Sequence, residues 1–238
     1  MKQTLVLCPG LPRSGSTSLW TLLGLQGVKE PQYLSVLANE TDHPSFYPAS
    51  MSERFCNHMI GLNEQRLKLY PPYSLDTYFE YITQQPFDFS QSYWWISERF
   101  LRKIKESLDC NIKIILLYRE PVSRLYSYCH LICNSWDVGS MTPKDVFNYY
   151  IDNKECQTLY SDINDKFRRV FDEVICLSTE KFFGNQEECN RLTDFLEMEN
   201  IQMIDIYENS MKYNPLASDD MERAKELLSP SCKFHMSL

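Results

Sequence analysis

The chain has 238 residues, 43% of them hydrophobic, which is enough for one real core and predicts a single domain with room for an insertion. Its 24 Lys and Arg stand against 32 Asp and Glu, a net charge of −8, which weighs against bulk nucleic-acid binding and requires any anion site to be built locally. Charged residues at 24%, 7 Gly, 12 Pro and 13% aromatics exclude a disordered, collagen-like or low-complexity chain.

Residues 4–8 form a short apolar run stopped by Pro9-Gly10, and 17–25 place Leu19, Leu22 and Leu23 on one helical side, so the chain opens as strand, tight loop, helix. Residues 38–75 mix Pro, Asn, Ser and aromatics with little sustained period and read as an insertion near the site, with room for one or two helices in 53–69. The aromatic stretch from Tyr70 to Phe89 and the pair Trp94-Trp95 fit a core better than an acceptor platform. A helix is expected over 93–108, with Ile96, Phe100 and Ile104 at helical spacing, and then a buried, parallel strand over 112–118. Pro121 suits the first turn of a helix running to about Trp136, which makes a second strand-loop-helix. Helices over 143–153, 159–171, 186–196 and 219–228, with a strand at 174–177, complete an α/β layered fold without internal repeats.

No stretch approaches the ~18 uninterrupted apolar residues of a membrane span. MKQTLVLCPG meets Pro9-Gly10 too early for a signal-peptide core, so a cytoplasmic protein without a membrane span is expected. The nine cysteines (Cys8, Cys56, Cys110, Cys129, Cys133, Cys156, Cys176, Cys189, Cys232) contain no C-x-x-C pair and read as free, mostly buried thiols. His43, His58, His130 and His235 are too scattered for a metal cluster, so no metal is expected.

Two segments carry chemistry. The loop Gly10-Leu11-Pro12-Arg13-Ser14-Gly15-Ser16-Thr17 sits between strand and helix, where backbone N–H groups converge on an anion; the bland reading is a structural Gly/Ser turn. Against the nucleotide pattern G-x-x-x-x-G-K-[ST] it keeps both glycines and Thr17 but has Ser16 where the lysine belongs, with the positive charge moved to Arg13. The second segment runs from Arg119 through Glu120, Pro121, Val122, Ser123, Arg124, Leu125, Tyr126 and Ser127 to Tyr128. Arg119 ends a buried strand on the crevice side, and Ser127 follows eight residues later, about two helical turns, so both can face one anion. A structural salt bridge at the strand end is the alternative.

Together these segments resemble the sulfotransferases that use 3′-phosphoadenosine 5′-phosphosulfate (PAPS). Their first motif reads roughly P-[KR]-[SG]-G-[ST]-[ST], which Pro12-Arg13-Ser14-Gly15-Ser16-Thr17 matches. Their second motif places Arg, Pro and Ser around the 3′-phosphate, as Arg119, Pro121 and Ser127 stand here. Arg13 in place of the commoner lysine looks like the tyrosylprotein branch, and Arg-Glu-Pro-Val-Ser-Arg resembles the carbohydrate and bacterial branches. The resemblance implies a P-loop-like, three-layer fold with a mainly parallel central sheet. It also implies PAPS as donor and 3′-phosphoadenosine 5′-phosphate (PAP) as product, held by Arg13, Ser14, Gly15, Ser16, Thr17, Ser18, Arg119 and Ser127.

Lys29-Glu30-Pro31-Gln32-Tyr33 resembles a stretch of bacterial and glycan sulfotransferases whose glutamate is the acceptor's general base, which makes Glu30 and Arg13 the catalytic candidates; on its own, such a glutamate is solvated loop. Asp88-Phe89-Ser90-Gln91-Ser92-Tyr93 departs from the family, with Phe89 where a lysine assists catalysis in some glycan enzymes; Arg13 alone, Lys29 or another basic residue would then neutralise the leaving group. Glu180 to Leu196 resembles the family's late helical region. The expected activity is sulfuryl transfer to a hydroxyl of a glycan or small molecule. A P-loop small-molecule kinase and a non-catalytic nucleotide-binding module are the competing readings, the first weakened by Ser16.

Overall fold

A computed structural model describes residues 2–41, 74–135, 140–152, 159–199, 201–203 and 216–238. Most of the expected insertion, with the one or two helices it has room for in 53–69, and Cys56, Cys156, His43, His58 and Trp136 lie outside these residues. In chain order the elements are β1 (Gln3–Leu7), α1 (Ser16–Leu22), α2 (Tyr33–Thr41), α3 (Leu75–Gln84), β2 (Phe87–Asp88), a 3-10 turn (Tyr93–Trp95), α4 (Glu98–Ser107) and β3 (Cys110–Tyr118). They continue as α5 (Pro121–Ser135), α6 (Pro143–Asp152), α7 (Tyr160–Val170), β4 (Glu173–Ser178), α8 (Thr179–Phe182), α9 (Gln186–Leu196), α10 (Ser218–Leu227) and α11 (Ser229–Ser237).

The four strands form an all-parallel sheet in the order β2-β1-β3-β4. β1 pairs on one side through Val6↔Phe87 and Leu7↔Asp88, and on the other from Gln3↔Cys110 to Leu7↔Ile114. A parallel sheet covered by helices buries both faces of its strands, which is why Leu5 to Leu7 of β1 and Ile114 to Tyr118 of β3 are apolar without alternation. Leu5 to Cys8 and Ile112 to Tyr118 are buried throughout. Lys113 is the polar exception inside β3, and its Nζ lies 3.6 Å from the carboxylate of Glu173.

The chain divides into two compact units. The first comprises Met1–Leu11, Leu23–Leu116 and Lys166–Ile175. In it α4 presents Phe100, Leu101 and Ile104 to the core, and Ser97 caps it by accepting from the Phe100 N–H. That cap explains why the helix expected over 93–108 is broken: Ile96 is extended, so a 3-10 turn ends before α4 begins. Lys166, half-buried, donates to the carbonyls of Trp94 and, at 3.0 Å, Ile96, and desolvation lowers its pKa to about 8. The Trp94 N–H donates to the Pro9 carbonyl at 2.8 Å, which fixes the turn against the end of β1.

The second unit comprises Pro12–Leu22, Leu117–Asp165 and Cys176–Leu238. Its core packs Val122, Leu125, Cys129 and Ile132 of α5 against Val146, Phe147 and Ile151 of α6, with Ala224 and Leu228. Pro121 opens α5 as the sequence predicts, and the Glu120 carboxylate caps it, accepting from the N–H groups of Val122 and Ser123. α1 stops at Leu22, short of the expected residue 25; Gly24 follows at φ +63, a left-handed conformation in which glycine ends helices readily. Among the described residues no helix is long and apolar enough to cross a membrane.

Candidate active site

Residues 12–17 of the first loop and the second motif lie inside the second unit. Arg13 stands in the left-handed region at φ +68, and its carbonyl accepts from Arg119 Nη1 at 3.3 Å. Its own Nε donates to the Ser127 hydroxyl at 3.0 Å. Arg13, Arg119 and Ser127, the three residues singled out for the two phosphates, thus form one hydrogen-bonded cluster although more than a hundred positions separate the motifs.

The loop around them is tightly held. Ser14 is fully buried, its carbonyl accepts from Thr179 Oγ1 at 2.7 Å, and its hydroxyl has no hydrogen-bond partner. A buried hydroxyl left without a partner costs free energy, and a ligand oxygen placed there would recover it. Gly15 lies at φ +91, where an added Cβ would stand 3.0 Å from Phe183 Cε2 and 3.2 Å from Thr179 Cγ2. Ser16 and Ser18 are buried in the first turn of α1, and Thr17 between them is half-buried. Seven residues of helix carry only a small dipole, so the cradle's positive charge comes mainly from two guanidiniums. Guanidinium forks, an unsatisfied buried hydroxyl and a glycine-closed loop are a donor set suited to phosphate oxygens.

Arg119, one residue beyond β3, is braced from behind. Its carbonyl accepts from the Tyr160 hydroxyl at 2.6 Å, and that hydroxyl accepts from Arg124 Nε at 3.1 Å. The next N–H, that of Glu120, donates to Glu180 Oε1 at 2.9 Å, and Glu180 Oε2 meets His235 Nε2 at 2.9 Å. Tyr118 packs its ring on Tyr160 and Phe234, with centroids 4.8 and 5.2 Å apart.

Glu30 belongs to the first unit and is described within it. One carboxylate oxygen pairs with Lys29 Nζ and the other accepts from Gln32 Nε2 at 3.1 Å. Phe89, at the position of the family lysine, is fully buried, and its N–H donates to the Lys29 carbonyl at 2.9 Å. Behind them lies a polar network that the sequence reading did not identify. Asp88, also fully buried, accepts from Ser90 Oγ at 2.5 Å, Tyr93 Oη at 2.7 Å and Tyr78 Oη at 2.8 Å. Desolvation raises its pKa to about 6, while the hydrogen bonds from Ser90, Tyr93 and Tyr78 pull the other way.

Over its whole length the chain is similar to the crystal structure of a sulfotransferase from Alicyclobacillus acidocaldarius. The TM-score is 0.64 at 17% identity, over 100% of this chain and 96% of that one. The chain has a sulfotransferase fold. No protein-family model matches the sequence. No curated protein matches it. Within the sulfotransferase fold, the supports Thr179, Tyr160, Glu180 and Gln32 escaped the sequence reading because each depends on hydrogen bonds to residues distant in sequence. The partial signal for Glu180 was its place in the segment resembling the family's late helix.

Proposed function

We propose that this protein is a sulfotransferase that moves a sulfuryl group from PAPS to a hydroxyl acceptor. The observation that carries the reading is the cluster of Arg13, Ser127 and Arg119, in which both cofactor motifs supply donors to one place. PAPS, when bound, supplies a sulfuryl group activated by its bridge to a 5′-phosphate. Arg13, the Ser14 hydroxyl and the loop around Gly15, Ser16, Thr17 and Ser18 bind that phosphate and neutralise the charge released on it. Arg119 and Ser127 hold the 3′-phosphate and thereby select PAPS over ATP. Glu30 takes the acceptor's proton; it is 25% exposed, so a substrate hydroxyl can reach it.

All 238 residues would form one sulfotransferase domain, with 38–75 on the acceptor side. The acceptor class that fits this reading is a hydroxyl of a glycan or a small molecule, met in the cytoplasm. The test is calorimetric titration with PAP, ATP and ADP, on the wild type and on Arg119→Ala. PAP should bind tightest, and losing Arg119 should weaken it by about 1.5–3 kcal/mol, the worth of a charge-assisted hydrogen bond. Equal or tighter binding of ATP, or indifference to Arg119, would return the loop to the kinases. Turnover is then sought over phenols, sugars and other hydroxyl compounds with labelled PAPS.

A further inference from the structure

Gln32 is a buried, non-glycine residue in the left-handed region, at φ +58 and 6% exposed. Such a conformation is uncommon outside Gly, Asn and Asp, and it persists only where the surroundings over-determine it. The surroundings here do so. The Gln32 N–H donates to Ser90 Oγ at 2.8 Å, and Ser90 has already committed its own hydroxyl proton to Asp88. The Gln32 carbonyl accepts from the Val36 N–H at 3.3 Å at the start of α2. The side-chain oxygen accepts from Ser92 Oγ, which is itself paired with Ser35 Oγ.

These contacts fix which end of the amide faces Glu30. A carboxylate only accepts, so Nε2 must point at Glu30 Oε2, and Ser92, by donating to Oε1, holds that orientation. A residue needed only for the turn would be less strained as Gly or Asn; what glutamine adds is the reach from the Ser92 hydroxyl to the Glu30 carboxylate. With Lys29 on the other oxygen, Glu30 is held at both ends, and each oxygen keeps lone-pair capacity for an incoming proton.

We infer that Gln32 is a positioning residue for Glu30: its amide, oriented by Ser92 and anchored through Ser90 to Asp88, holds the carboxylate in a fixed place. The inference rests on the reading of Glu30 as the base. It is tested with Gln32→Asn, which keeps a residue tolerant of the left-handed turn but shortens the side chain by one methylene, and with Gln32→Gly, which relaxes the turn and removes the amide. The Glu30 carboxylate band is identified in glutamate-labelled protein as the infrared band lost in Glu30→Gln. That band should shift in both Gln32 variants while PAP affinity stays as in the wild type; melting falls in both, because the buried Ser92 hydroxyl loses its Gln32 partner. On a hydroxyl acceptor that the panel shows to turn over, kcat should fall on the order of 10- to 100-fold with KM for PAPS unchanged, the expected cost of a misplaced catalytic group. An unmoved band in folded Gln32→Asn overturns the positioning role. Full transfer by Glu30→Gln would instead overturn the base, and the band shift would still decide what Gln32 does to Glu30.

Discussion

Asp88 keeps a carboxylate in a place with no exposed surface, surrounded by hydroxyls from Ser90, Tyr78 and Tyr93. Its pKa of about 6 in the folded state exceeds the ordinary 3.8, so between these values the folded chain binds more protons than the unfolded one. By linkage, this group's contribution to stability is full below about pH 4, falls as pH rises, and is lost above about 6. The amount is on the order of 3 kcal/mol for a shift of this size. Asp88→Asn keeps an acceptor for Ser90 and removes the buried charge, so its denaturant midpoint should vary less between pH 4 and 7.5 than that of the wild type. Identical pH dependence in both proteins would show that Asp88 titrates as an ordinary carboxylate.

At the scale of elements, α7 reaches the second motif through one residue. Tyr160 donates to the carbonyl of Arg119 and accepts from Arg124, whose guanidinium also lies 5.9 Å from the centre of the Tyr160 ring. Tyr160→Phe leaves a carbonyl and a buried guanidinium nitrogen without that partner, a loss of about 1–3 kcal/mol in stability. PAP affinity should fall with it, because Arg119 loses its brace; urea unfolding together with calorimetry checks both, and a variant that is destabilised yet binds PAP normally would confine Tyr160 to the core.

Which elements the sequence announces follows from their patterns. β3 ends in the apolar run Ile114 to Tyr118, and α9 carries Asn185 as a cap, two glutamates in its first turn and Cys189, Leu192 and Leu196 on one face. β2 has two residues, too few for any period, and it exists because Val6 and Leu7 offer it a partner edge. α11, SPSCKFHMS, has no apolar stripe, and of its residues only Ser231 is buried, with its hydroxyl accepting from the Tyr160 N–H at 3.2 Å. α3 has a readable cap in Ser74 and a buried pair in Tyr78 and Ile82, but its aromatic richness pointed to core rather than to helix.

Over the whole molecule, the cofactor half of the candidate site is legible because each motif is contiguous and sits at a strand end. The supporting half is not, since Gln32 gains its role only from serines that follow about sixty residues later. A ligand bound only by the folded chain raises its stability by RT ln(1 + [L]/Kd), about 2.7 kcal/mol at a hundredfold excess over Kd. For a chain of this length PAP should then raise Tm by roughly 5–10 °C. Scanning calorimetry with ATP at the same concentration should show a smaller shift, and an equal one would count against recognition of the 3′-phosphate.

The position of β1 in the sheet also sets an order of events during synthesis. Its neighbours are β2 at Phe87–Asp88 and β3 at Cys110–Tyr118, so β1 is made about eighty to a hundred residues before the strands that pair with it. At ribosomal rates of about 5–20 residues per second, Leu5, Val6 and Leu7 wait roughly 5–20 s for their partners. Throughout that interval the nascent chain carries an unpaired apolar strand immediately before the loop of residues 10–17.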